Sequence, residues 1–238
     1  MSLYRDEAIV IRTYKLGEAD RIVVLFTKGR GKVRAVAKGV RKTTSRFGAR
    51  LEPTSHVGLQ LYEGRNLDTI TQAETLDHFR AIRDDLERIG RASSLLEAVD
   101  HITEEREPNA RLYTMLVGAL RALAADDHPL IVPGFFWKLL ALEGLSPMVD
   151  ACVVCGAEDE LCAFALDDGG VVCVEHRRGV RLAPEAITLL QLILGGRLGV
   201  ALAQPVGPAT TEVEHLATLA LEFHLERRLK SVGVLDRG

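Results

Sequence analysis

The sequence predicts an α+β multidomain chain, and three observations carry the prediction. Five short β-rich segments crowd the first eighty residues, helical periodicity takes over from Leu76, and all four cysteines cluster between residues 152 and 173. Strands at that spacing make a small barrel, the apolar stripes make packed helices, and the cysteines make an inserted module. The expected domains are a barrel at 1–80, an α-helical domain at 81–150 and 180–238, and a metal module at 151–179.

The strands are read at Glu7–Tyr14, Asp20–Thr27, Gly31–Lys38, His56–Tyr62 and Leu67–Gln72, with glycine-containing turns closing most of them. In Lys32–Lys38 the period of two puts Val33, Ala35 and Ala37 on one face and Lys32, Arg34, Val36 and Lys38 on the other. The third strand is therefore apolar inward and largely cationic outward. A small five-stranded barrel with one basic face matches an oligonucleotide-binding (OB) fold.

Net charge is −3 overall, yet residues 1–80 hold 15 Lys and Arg against 9 Asp and Glu, giving +6 and leaving −9 for the rest. From Arg21 to Leu51 ten cations stand without an acid: Arg21, Lys28, Arg30, Lys32, Arg34, Lys38, Arg41, Lys42, Arg46 and Arg50. An unbroken run of this kind favours a polyanion over a merely solvated face, so these ten are the candidate DNA-binding residues. Gly39–Leu51 breaks the alternation and is expected as a mobile loop or short helix. Its one aromatic, Phe47, could stack on a base but is read first as a core residue. Neither Gly29–Lys32 nor Lys42-Thr43 has the spacing of a phosphate-binding loop.

Helices follow. Phe79, Ile82, Leu86 and Ile89, then Leu95, Leu96, Val99 and Ile102 beyond Gly90, read as two amphipathic helices. Asn109–Ala124 is a third, and Val132–Glu143 a fourth, apolar over most of its circumference and so expected at the centre of its domain. Pro184–Leu194 and Thr211–Leu229 complete the set.

The inserted module pairs Cys152 with Cys155 and Cys173 with His176 across a 17-residue loop. Two short turns, each presenting two thiolate or imidazole ligands, are what a closed tetrahedral zinc site needs. Cys162 stands inside the loop with no partner at ligand spacing, so His176 is preferred as the fourth ligand. Two disulfides fit less well in a chain with no cysteine elsewhere. Catalytic zinc would leave a position open, whereas four ligands here can close the shell; a structural Zn2+ is expected.

With 47% hydrophobic residues the chain can bury a core, and no apolar run approaches the ~18–20 residues of a membrane span. Charges in the first fourteen residues stand where a signal peptide would be apolar, so a cytoplasmic, nucleoid-associated protein is expected. Nucleophile-elbow, zinc-protease and dinucleotide motifs are all lacking, and acidic pairs such as Asp84-Asp85 read as solvated faces. Binding, not catalysis, is the better reading: no enzyme is expected.

Three blocks point to a family. Gly17–Pro53 (GEADRIVVLFTKGRGKVRAVAKGVRKTTSRFGARLEP), Phe135–Gly156 (FFWKLLALEGLSPMVDACVVCG) and Gly169–His176 (GGVVCVEH) resemble, in order, blocks of the RecO family of bacterial recombination mediators. The family usually carries cysteine where His176 stands. The resemblance implies binding of single- and double-stranded DNA through the OB fold. It also implies annealing of complementary strands coated by single-strand-binding protein, and RecA loading with RecR in the RecFOR pathway. A pocket for the acidic tail of single-strand-binding protein is implied in the helical part, where Arg121, Lys138, Arg177 and Arg178 are the candidate cations. The competing readings are an OB-fold adaptor in transcription or RNA handling and an enzyme with a catalytic zinc.

Overall fold

The structure is a computed structural model that describes residues 2–42, 45 and 47–231. The described residues divide into two compact units, one ending at Ala125 and one beginning at Asp126.

In the first unit, strands β1 (Leu3–Leu16), β2 (Asp20–Thr27), β3 (Gly31–Ala37), β4 (His56–Tyr62) and β5 (Asp68–Asp77) close a barrel in the order β1-β2-β3-β5-β4. All pairings are antiparallel except β3 with β5, which meet in parallel at Ala35–Asp68 and Val36–Thr69. This is the five-stranded OB-like barrel that the alternation predicts. Val33, Ala35 and Ala37 point inward and are buried, as period two requires. Ala8, Val10, Val23, Leu25, Val57, Leu61 and Ile70 join them in the barrel core, and Phe47 is packed there at 1% exposure. Phe47 is thus the core residue of the first reading, not a stacking platform. A short 3-10 turn, Gly48–Leu51, follows it.

Helices α1 (Arg80–Arg83), α2 (Leu86–Ile102) and α3 (Ala110–Ala125) belong to the same unit. The predicted pair of helices is interrupted earlier than the sequence suggests. The break falls at Asp84-Asp85, where the Asp85 side chain accepts the Arg88 N–H at 3.0 Å and caps α2, which then runs straight through Gly90. An N-cap outweighs the roughly 1 kcal/mol that one interior glycine costs. Leu86 and Ile89, assigned to the apolar stripe, are exposed as a result. Asn109 caps α3 through the Leu112 N–H at 2.9 Å.

These helices cover one end of the barrel's outer face. Ile9 pairs with Phe26 and Phe26 with Lys32 across β1–β2–β3, and this row is buried where Phe26 meets Tyr113 at a ring separation of 6.2 Å. Beyond α2 the chain straps back onto β3: Glu105 bridges Lys32, and the Arg106 N–H donates to the Lys32 carbonyl at 2.9 Å. A side chain at residue 31 would block that approach. Gly31 has φ +67°, and a Cβ built there would stand 1.9 Å from the Glu107 carbonyl oxygen.

The second unit packs α4 (Ile131–Leu142), α5 (Pro184–Leu194), the short α6 (Leu198–Leu202) and α7 (Pro208–Leu225) around α4, whose Phe135, Phe136, Trp137, Leu139 and Leu140 are buried as expected. Residues 161–181 add a three-stranded sheet in the order β7-β6-β8, from β6 (Leu161–Ala165), β7 (Gly170–Cys173) and β8 (Val180–Arg181). Trp137 packs on Phe164 of β6 at 5.8 Å between ring centroids. Among the described residues no helix is long and apolar enough to cross a membrane.

Candidate nucleic-acid interface and metal centre

Period two decides which cations the barrel presents. Antiparallel pairing sets Arg12 beside Val24 and Val24 beside Arg34, so these three share the outer face of β1–β2–β3 with Lys32 and Val36. Lys38 lies one residue past β3, exposed, with Arg41 and Lys42 exposed in the turn that follows.

Much of the basic run is internally matched. Arg21 reaches Glu52 at 2.6 Å, Lys28 reaches Glu7 at 3.4 Å, and Arg34 reaches Glu105 at 2.7 Å. Arg30 stacks over the Tyr4 ring at 3.9 Å and approaches Glu63 at 3.4 Å. Lys32 is largely buried between the carbonyl and carboxylate of Asp100. Arg41 donates to the carbonyls of Gly17 and Glu18, holding the β1–β2 hairpin, and Arg50 donates to the Phe47 carbonyl at 3.2 Å. Arg46 lies outside the described residues. Arg12 is absent from the sequence-based set although it shares the face of Arg34; the signal lay in the alternation of Glu7–Tyr14, but an isolated arginine outside the acid-free run carried no charge statistic.

The metal-ligand spacing does close in space. The Sγ atoms of Cys152, Cys155 and Cys173 and a ring nitrogen of His176 all lie within 4.8 Å of one another. Cys155 Sγ is 3.8 Å from Cys173 Sγ, and His176 Nδ1 is 3.3 Å from Cys173 Sγ and 4.0 Å from Cys152 Sγ. Tetrahedral coordination with metal–sulfur bonds of about 2.3 Å sets donor separations of about 3.8 Å, so the four could hold one ion. A 3-10 turn, Val174–His176, carries the imidazole back over Cys173. Cys162 lies within β6 and takes no part in the cluster, which is the outcome its lack of a spaced partner predicts.

The turn chemistry prepares the thiols. Burial raises the pKa of Cys152, but N–H groups of Cys173, Cys155 and Val154 aimed at its sulfur outweigh this and bring it to about 6. The Ala157 N–H lowers the Cys155 pKa, yet desolvation and the adjacent sulfurs of Cys152 and Cys173 leave it raised. One thiolate stands ready and the second needs a cation beside it, the behaviour of ligands that lose protons when a metal binds. Of the candidate tail-binding cations, Arg121 is exposed on α3 of the first unit; in the second, Lys138 on α4 and Arg177 are exposed, and Arg178 is paired with Asp168 at 2.6 Å.

Comparison with known proteins matches both units. Residues 1–79 fit the family model "Recombination protein O N terminal" and residues 83–232 fit "Recombination protein O C terminal". The protein named DNA repair protein RecO in Nocardioides sp. is 47% identical over 248 residues, covering 99% of this chain and 100% of that protein. Those of the same name in Frankia casuarinae and Streptomyces coelicolor are each 42% identical, over 243 and 250 residues, with both chains of each pair fully covered. With family models along nearly its whole length and relatives this similar from end to end, the chain belongs to the RecO family of DNA repair proteins.

Proposed function

We propose that the protein is a non-enzymatic recombination mediator of the cytoplasm. It binds single- and double-stranded DNA, anneals complementary strands coated by single-strand-binding protein and, with RecR, promotes RecA loading in repair. The observation that carries this reading is the family match over both units, joined to the acid-free run of ten cations between Arg21 and Leu51 of the sequence. Exposed Lys38, Arg41 and Lys42 track phosphates, while the cations of the run that are paired with carboxylates, Arg34 with Glu105 among them, are largely neutralised by their partners. Bringing phosphates of two strands onto one basic surface cancels the repulsion that slows their pairing.

The metal assigned to Cys152, Cys155, Cys173 and His176 is Zn2+ in a structural role. Three thiolates and an imidazole complete a tetrahedral shell, leaving no position for substrate. A fluorescence annealing assay with two complementary oligonucleotides, with and without single-strand-binding protein, tests the function. Acceleration without nucleotide supports it; pairing no faster than the protein-free rate overturns it.

A further inference from the structure

The outer face of the barrel does not end in charge. One step past the Arg12–Val24–Arg34 row, the same register aligns Tyr14 with Ile22 and Ile22 with Val36. Val36 then pairs in parallel with Thr69, and Thr69 with Tyr62 of β4. No residue of this row is buried, and the two tyrosines at its ends are each 47% exposed. The Ile9–Phe26–Lys32 row, two steps away on the same face beyond the Arg12 row, lies under α2 and α3, so the helices bury that end of the face and leave the Tyr14 row bare.

Two features make it a platform rather than an accident of exposure. Tyr14 is oriented: its hydroxyl accepts from Arg12 Nη1 at 3.3 Å, and Arg12 is itself fixed by Asp100 at 2.7 Å. Cations border the row along β3, with Arg34, half-exposed and shared with Glu105, two residues before Val36 and exposed Lys38 two residues after it. A surface of ring and aliphatic faces edged by positive charge complements a polyanion whose apolar faces are open. An unpaired strand offers both, whereas a duplex hides its base faces in the stack.

Resting on the DNA-binding function proposed above, we infer that Tyr14, with Ile22, Val36 and Tyr62 in the same cross-strand row, is a stacking platform for unpaired bases, adding to single-strand binding a contribution that a duplex does not receive. Phosphates of the stacked segment run along Lys38 and Arg34. Arg12 acts as a positioning residue, holding the Tyr14 ring through its hydroxyl.

The test uses the full-length protein and fluorescence anisotropy with a labelled thymidine oligonucleotide, an equally long oligomer of abasic sites, and a duplex. Tyr14→Ala weakens binding of the thymidine strand between about fivefold and 100-fold, the loss expected for one stacked base. The abasic strand, the duplex and the salt dependence stay near wild type. Tyr14→Phe keeps the ring and retains binding, and Tyr62→Ala repeats the selective loss should the first variant be poorly folded by thermal melting. Equal losses on thymidine and abasic strands, or no loss on thymidine with either alanine variant, overturn the platform while leaving DNA binding intact. Wild-type protein that binds none of the three overturns the platform and the proposed function together.

Discussion

The ε-ammonium of Lys32 lies 2.6 Å from the backbone carbonyl of Asp100 and 3.3 Å from its carboxylate, and both side chains are 14% exposed. A residue from the centre of the basic run is thus spent on closing the end of α2 onto β3. Asp100 also holds Arg12, so one carboxylate ties two strands of the barrel to the helical layer.

Replacing Lys32 by alanine therefore acts on stability before it acts on DNA. The carbonyl and part of the carboxylate lose their partner in a desolvated place, which costs about 1–3 kcal/mol. Urea denaturation reads the change as a lower midpoint. The salt dependence of DNA binding, in contrast, stays at its wild-type slope, because a buried cation displaces no counterion from phosphate.

Lys38 and Lys42 should behave in the opposite way. Both are exposed, Lys38 one residue past β3 and Lys42 in the turn that follows. Every phosphate of a single strand that a cation ceases to neutralise lowers the log–log slope of affinity against salt by about 0.7. The double variant Lys38→Ala, Lys42→Ala is thus expected to bind DNA more weakly with a slope reduced by about 1.4, at an unchanged urea midpoint. An unaltered slope would remove both from the phosphate track.

The contrast between these cations marks where sequence runs out. Period two sufficed to place Val33, Ala35 and Ala37 inside the barrel, because alternation is a local consequence of the pleat. Ligand spacing sufficed for Cys152, Cys155, Cys173 and His176, because each pair lies within one turn. Charge counting could not separate Lys32 from Lys38. The difference is made by Asp100, sixty-eight residues away, and by a strap whose approach depends on Gly31 having no side chain. The stacking row was hidden for the same reason: Tyr14, Ile22, Val36 and Tyr62 adjoin only through strand register. The α1–α2 break was legible in principle, since Asp85 before Leu86 is an N-cap signal that the apolar stripe masked.

Cysteine variants test the metal module. Cys152→Ser or Cys173→Ser removes a ligand from the cluster and is expected to release zinc and lower the melting temperature of the second unit, with the barrel unit still folded. Cys162→Ser leaves the metal content unchanged, since its sulfur lies outside the cluster. Metal analysis of the purified variants, beside circular dichroism melts, reads both results; zinc loss on Cys162→Ser would require a different fourth ligand.

Acid should loosen the first unit through His56. Its Nε2 is 2.9 Å from the Tyr113 hydroxyl, its ring stacks near Phe79 at 6.4 Å, and its buried Nδ1 has no hydrogen-bond partner among the described residues. Burial lowers its pKa, Arg121 and Lys28 push the same way, and Glu7 and Asp77 oppose them without prevailing. The folded state then takes up a proton less readily than the unfolded chain, whose histidine titrates near 6.5. Stability is full above that value and falls as the pH drops from it toward the lowered folded pKa, by at most about 1.4 kcal/mol per pH unit for one proton. Comparison of urea midpoints for wild type and His56→Gln at pH 7.5, 6.5 and 5.5 isolates this contribution from the carboxylates. The stability difference between the two proteins is expected to shift against the wild type as the pH falls, and a difference independent of pH would show that His56 is not held neutral by its surroundings.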